Sequence, residues 1–238
     1  MGGEHDRLTA AEAASVLGWW IEAGVDVAIQ ESPRAWLGAS VAAPVPDAAP
    51  ESKTAPPQQL PASLEAFRNW LGETPALPLA QGNLRRVLPR GIEAAEVMLL
   101  ADMPTPEDVA SGQPIAGQAW DLTERMLAAI GFGSDQAYVA SLSCFHSPGT
   151  RLSGKDLDAC AAIARRHVAL AKPKRLLLLG DTTCRALLGK PLTAARGHVH
   201  KIEGVRAVAT FHPRFLLDRP SNKALAWRDL LLLMEEEV

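Results

Sequence analysis

Two hydrophobic rhythms alternate along the second half of the chain. Four short runs, Val97–Ala101, Ala137–Ser141, 175–180 and 206–211, are apolar on successive residues and bounded by Gly, Pro or charge; this is the pattern of strands buried on both faces. Between them the period lengthens. Leu122, Met126, Ala129 and Ile130 share one helix face, Leu157, Cys160, Ala161, Ala164 and Val168 share another, and Lys172-Pro173 ends the second helix. Strand and helix in alternation predict an α/β fold: a three-layer αβα domain around a central, mostly parallel four-stranded sheet. Ligands of such sheets bind beyond the carboxyl ends of the strands. The chemistry is therefore expected in the loops that follow each run.

The first quarter reads differently. Thr9-Ala-Ala-Glu12 is a capping box, and the stripe Val16, Leu17, Trp20, Ile21 follows it, which predicts an N-terminal helix. Six prolines (Pro44, Pro46, Pro50, Pro56, Pro57, Pro61) then stand among Ala, Ser, Gln and Asp, a composition that buries too little apolar surface to order itself. The expected organisation is a helical appendage over residues 1–40, a Pro/Ala-rich linker over 41–62, and an α/β domain over 63–238.

Composition narrows the class. At 238 residues, 47% hydrophobic and 21% charged, the chain is an ordinary globular one. No apolar run reaches the roughly 18 residues of a membrane span, and the opening MGGEHDRLTA lacks the basic-then-apolar order of a signal peptide; a cytoplasmic protein without membrane contact, and a monomer, is expected. Three cysteines (Cys144, Cys160, Cys184) without CxxC spacing argue against disulfides and zinc. The net charge of −3 is unevenly spread. Residues 141–228 hold sixteen Lys and Arg against five Asp and Glu, a net +11, which leaves −14 elsewhere. Such a basic half suits a phosphate-rich partner, or else consists of solvated helix faces.

The strand-end loops carry the candidate chemistry. Asp102-Met-Pro-Thr-Pro106 and then Gly112-Gln-Pro-Ile-Ala-Gly117 follow the first run, Ser141 through Arg151 the second, Gly180-Asp-Thr-Thr183 the third, and His212-Pro-Arg-Phe-Leu-Leu217 the fourth. Walker, GxGxxG, HExxH, GxSxG and EF-hand patterns are absent, so nucleotide binding and zinc proteolysis lose their usual support.

These loops, with Asp121–Gly131, 173–189 and Thr210-Phe-His-Pro-Arg-Phe-Leu-Leu217, resemble the iron–sulfur-type (family 4) branch of the uracil-DNA glycosylase superfamily over residues 64–234. Its members typically read GEAPG after the first strand, then GRPFVG, an Asn ahead of RPPGNR, and a YHPAYLL-like loop. The resemblance implies catalytic roles for two residues. Asp102 takes the place of the carboxylate that orients water or offsets charge on the sugar, and His212 that of the histidine that stabilises the departing base. It further implies base contacts from Pro104, Ile115 and Ser141, and DNA contacts from Gly117, Gly149, Arg151, Arg196, His200 and Arg214. Phe215, Leu216 and Leu217 would fill the stack vacated by a flipped base.

Three departures modify this expectation. Ile115 replaces the aromatic that stacks on the base, and Ser141 replaces the Asn whose amide reads its edge. The branch binds a four-iron cluster through four cysteines, yet none precedes Cys144 here; at most Cys144 and Cys160 align. No cofactor and no metal site is therefore expected. His198-Val-His200 beside Arg196-Gly197 reads as a phosphate-contacting loop rather than a metal pair, and Asp181 as a helix cap. Two functions remain. One is a DNA glycosylase with an altered base pocket, acting on single- or double-stranded DNA; the other is a non-catalytic DNA-binding, repair-associated module on the same fold.

Overall fold

The chain divides into Met1–Ala55 and Pro56–Val238. The computed structural model describes residues 60–80, 84–147, 149, 152 and 154–235. The expected N-terminal helix, nearly all of the linker and Arg151 lie outside these residues.

The described residues begin with α1 (Leu64–Glu73), capped by the Ser63 hydroxyl, which accepts from the Ala66 N–H at 3.3 Å. Strand β1 (Val97–Ala101) leads to α2 (Pro106–Ser111) and α3 (Gly117–Ala129). Strand β2 (Ala137–Ser141) is followed by α4 (Gly154–Ala171), and β3 (Arg175–Leu179) by α5 (Asp181–Leu188) and α6 (Leu192–Ala195). A hairpin of β4 (Val199–Ile202) and β5 (Val205–Thr210) precedes α7 (Pro213–Asp218) and α8 (Lys223–Met234).

The strands form one sheet in the order β2-β1-β3-β5-β4. The first four are parallel, in the places expected. The fifth, β4, pairs antiparallel with β5 and makes the edge, so the sheet has five strands rather than four. The segment read as a phosphate-contacting loop runs into this strand, and His200 lies within it. The missed signal was Glu203-Gly204, both at positive φ (49° and 82°), as a two-residue type I′ hairpin turn requires.

Side chains alternate between the two faces of the sheet. Met98, Leu100, Tyr138, Leu176, Leu178 and Ala209 belong to a core shared with α1, α4 and α5. Val97, Leu99, Ala101, Val139, Leu177, Leu179 and Val208 belong to one shared with α3 and α8. Both faces being covered explains why the strands lack polar alternation.

The α1 side contains one polar network. Arg68 donates from Nε to the Tyr138 hydroxyl at 3.1 Å, and that hydroxyl lies 2.7 Å from Nε2 of His167, a buried residue of α4. Burial, aided by the Arg68 charge, lowers the His167 pKa to about 3; the ring is neutral, and Nε2 accepts from the tyrosine. A depressed histidine pKa favours the fold above the unfolded value of roughly 6.5 and is progressively lost as pH falls toward the folded one. His167→Gln keeps an acceptor but cannot titrate. Between pH 7.5 and 5 the variant is expected to lose about 2 kcal/mol less stability than the parent chain, at roughly 1.4 kcal/mol per pH unit. Urea unfolding at the two pH values measures this, and equal losses would show that His167 does not govern acid sensitivity.

Candidate active site

The chain leaves β1 for β2 on one side and returns to β3 on the other, so the carboxyl ends of β1 and β3 flank a topological switch point, where open α/β sheets form a crevice. Asp102 follows β1 and Gly180 follows β3. His212 stands two residues beyond the last residue of β5, and the Gly180 N–H donates to the Thr210 carbonyl at 3.0 Å, holding these two ends level. Gly180 has φ +99°, and a Cβ placed there would stand 3.8 Å from Asp102 Oδ2 and 3.9 Å from His212 Cβ. The two predicted catalytic residues thus meet across a glycine that supplies no side chain between them.

His212 is buried and serves as the N-cap of α7, Nδ1 accepting from the Arg214 N–H at 3.2 Å. Pro213 at the first helical position fixes that entry. With Nδ1 occupied as an acceptor, the ring proton resides on Nε2. Burial, with the Arg214 charge second, lowers the pKa to about 3. His212 is therefore a neutral donor. Asp102 is shifted the other way, up to about 6, chiefly by burial; Arg214 and the backbone N–H groups of Asp102 and Met103 oppose the shift, and Asp108 adds to it.

Sequence reading missed Asp108. Its carboxylate is 1% exposed and accepts from the Thr105 N–H (2.7 Å), the Thr105 hydroxyl (2.8 Å), the Ala116 N–H (2.9 Å) and Arg214 Nη2 (3.1 Å). Arg214 Nη2 also reaches the Thr105 hydroxyl at 3.2 Å. The signal was present, since Thr105-Pro-Glu-Asp108 repeats the capping-box spacing noted at Thr9, with Pro at the first helical position.

The residues assigned to the base are held more tightly than expected. Pro104 is buried, and its carbonyl accepts from His146 Nδ1 at 2.7 Å. His146, also unforeseen, belongs to a depression of about 310 Å³ with Arg85, Pro106 and Val109. Ile115 is fully buried in the core with Ala101 and Ala119 and presents no exposed face. Ser141 stands in register with Ala101, and its buried Oγ has no hydrogen-bond partner.

Several residues assigned to DNA are engaged within the chain. Arg196 donates to Asp229 at 2.7 Å, its side chain only 16% exposed, and lies 4.1 Å from the Phe211 ring centroid. His200 Nε2 donates to the Ala195 carbonyl at 2.8 Å. Arg214 is bound to Asp108. Gly117 opens α3 at φ +55°, where a Cβ would collide with the Glu107 carboxylate, and Gly149 stands exposed at φ +72°. Elsewhere in the basic half Arg165 and Arg166 donate to the Leu187 and Pro61 carbonyls, and Arg185 pairs with Asp181. Beside His212 the exposed Phe215, expected to fill the stack, pairs with Phe211, which was not foreseen: the two rings stack 5.1 Å apart at 14°, with Arg219 5.7 Å from Phe215.

The thiols do not fit a four-iron cluster. Cys144 and Cys160 lie near each other in the α1-side core, where burial pushes both up to about 12, and two thiols fall short of the four that such a cluster takes. Both line a cavity of about 20 Å³, room for one water. Cys184 is separately buried on α5. Among the described residues no group of three or more His, Cys, Asp or Glu converges on a common point.

Comparison with known proteins places the chain in a family. Similar curated proteins include the type-4 uracil-DNA glycosylases of Sulfurisphaera tokodaii (23% identical, covering 73% of this chain and 84% of that one), Thermotoga maritima (24%; 62% and 80%) and Archaeoglobus fulgidus (23%; 55% and 71%). The sequence model described as "UDG: Uracil DNA glycosylase superfamily" matches residues 89–231, from just before β1 into α8 and so across both flanks of the Gly180 gap: the chain belongs to the uracil-DNA glycosylase superfamily.

Proposed function

We propose that this chain is a DNA glycosylase that hydrolyses the N-glycosidic bond of a flipped uracil or other deaminated base, with an altered base pocket and without a cofactor. The observation that carries the reading is the opposition of two shifted groups across Gly180: a neutral His212 with its proton on Nε2, and a half-buried carboxylate at Asp102. As the bond from sugar to base breaks, its electron pair leaves with the base. The Nε2–H stabilises the resulting anion by donating a hydrogen bond; because the imidazolium pKa is lowered to about 3, the ring is neutral and offers this hydrogen bond without first carrying a charge. Asp102, ionised above about pH 6, offsets the positive charge on the sugar and orients the attacking water. Fixed charges in a dry cleft act strongly on a charged transition state.

The rest of the site modifies specificity. Ser141 offers one hydroxyl where an amide would offer a paired donor and acceptor, and its Oγ is buried, both of which weaken discrimination for uracil. The Phe211–Phe215 stack beside His212 suits an unstacked strand. Burial of Ile115 favours a second reading, a non-catalytic DNA-binding module. No membrane partner is proposed, since among the described residues no helix is long and apolar enough to cross a bilayer.

Oligonucleotides bearing uracil, hypoxanthine, xanthine or mismatched thymine, treated with the protein and then with alkali, separate the readings. Excision is expected on at least one. His212→Ala should slow single-turnover excision by roughly 10²–10³, the effect of removing one preorganised donor, while DNA affinity survives. Unchanged excision would remove His212 from the site. No excision by the parent chain, and none by a normally folded Ser141→Asn with Ile115→Phe, would favour the binding module.

Holding Asp102 ionised opposes folding. A carboxyl whose folded pKa is about 6, against roughly 3.9 unfolded, favours the fold below the lower value and loses that contribution as pH rises through the higher. Asp102→Asn is therefore expected to raise stability at pH 7.5 by up to about 3 kcal/mol while excision falls. Denaturant midpoints test this, and a less stable variant would mean the carboxylate is needed by the fold itself.

The purified protein should be colourless. Absorbance near 400 nm with stoichiometric iron and sulfide would overturn the absence of a cluster. Cys160→Ser should cost only what a buried hydroxyl costs, roughly 1–3 kcal/mol.

A further inference from the structure

We infer that Arg214 is a positioning residue, a strap that ties the loop carrying Asp102 to the loop carrying His212, and not a phosphate contact. The inference rests on the glycosylase reading for its consequence and on geometry for its existence. Arg214 sits two residues after His212, and its backbone N–H fixes Nδ1 of that ring at 3.2 Å. Its guanidinium then crosses to the other flank of the Gly180 gap. There Nη2 meets Thr105 Oγ1 at 3.2 Å and the buried Asp108 carboxylate at 3.1 Å, three and six residues beyond Asp102. One residue thus orients the imidazole with its main chain and anchors the opposite loop with its side chain. In the resembling family's YHPAYLL-like loop this place is held by alanine, which can do only the first.

The strap also gives the two loops a common charge balance. The groups that face Asp102 are few. From α7 comes the Arg214 cation, which lowers its pKa, and from α2 the Asp108 anion, which raises it; the backbone N–H groups of Asp102 and Met103 lower it further. The β3–α5 turn offers Gly180, without a side chain, and the β5–α7 turn offers His212, which is neutral. Arg214 outranks Asp108 among these causes. Removing either partner should therefore move the titration of Asp102, in opposite senses. A guanidinium already shared between Thr105 and Asp108 is also poorly placed to release counterions from DNA.

The test uses the full chain with ¹³C-labelled aspartate and four variants: Arg214→Gln, Asp108→Asn, the double variant, and Arg214→Lys. Arg214→Gln leaves Asp108 buried without its cation; the double variant removes both charges and keeps the experiment open if the single one fails to fold. The Asp102 carboxyl signal, identified by its loss in Asp102→Asn, is expected to titrate highest in Arg214→Gln, next in the double variant, then in the parent chain, and lowest in Asp108→Asn. The acid limb of single-turnover excision should move in the same order. Arg214→Lys, a cation without a fork, should restore the titration but only part of the rate. The salt dependence of duplex binding should be the same in Arg214→Gln as in the parent chain. A titration indifferent to Arg214, or a slope of log affinity against log salt that falls by about 0.9, the worth of one phosphate contact, would overturn the strap. If the titrations follow the expected order but no base is excised, the strap stands and the glycosylase reading fails; if excision proceeds and the titrations do not move, the reverse holds.

Discussion

The Asp108 carboxylate is the interaction on which the site depends. A charge buried to this degree loses several kcal/mol of hydration and persists only when donors replace the water. Four do so, and they come from three segments: the Thr105 turn after β1, the Ala116 N–H at the start of α3, and Arg214 on α7. These segments have no sheet hydrogen bonds to hold them, since each lies beyond the end of a strand. A charge that must be satisfied from several directions therefore does for the loops what backbone pairing does for the strands.

Similar reasoning applies to the basic half of the chain. An excess of arginine was compatible with a phosphate surface, yet many of these side chains finish hydrogen bonding inside the protein. Arg165, Arg166 and Arg206 donate to backbone carbonyls, and Arg196 completes a buried cluster with Asp229, which also accepts from the Thr210 hydroxyl at 2.7 Å. Planar, multiply donating guanidinium groups suit this work better than lysine does. What remains outward-facing near His212 is aromatic as well as cationic, a surface suited to unstacked bases.

The sheet was legible because burial on both faces leaves an unbroken apolar run, and β1, β2, β3 and β5 fell where such runs stood. Strand β4 was not, because at an edge its side chains are partly exposed and the run Val199-His-Lys-Ile202 is mixed; only the turn at Glu203-Gly204 announced it. Asp102 and His212 could be found by resemblance, one directly after β1 and the other two residues after β5. Their opposed protonation could not, because burial is a property of the assembled fold. Asp108 lay hidden as a helix cap, its second role requiring a partner 106 residues away. Ile115 stood at a motif position where it replaces an aromatic, but its burial depended on how α3 packs.

His167, His212 and Asp102, the strongly shifted groups that titrate on the acid side, also make folding a proton-exchange reaction. Near pH 5 the unfolded chain carries protons on His167 and His212 that the native one, with both rings near 3, does not accept, while native Asp102, near 6, takes up one that the unfolded chain has released. Folding there expels about two protons and captures about one. At pH 7 the net release has fallen to about half a proton or less. In a weakly acidic medium these groups make the native state a net proton donor to its surroundings, and the buffer becomes a participant in the folding equilibrium.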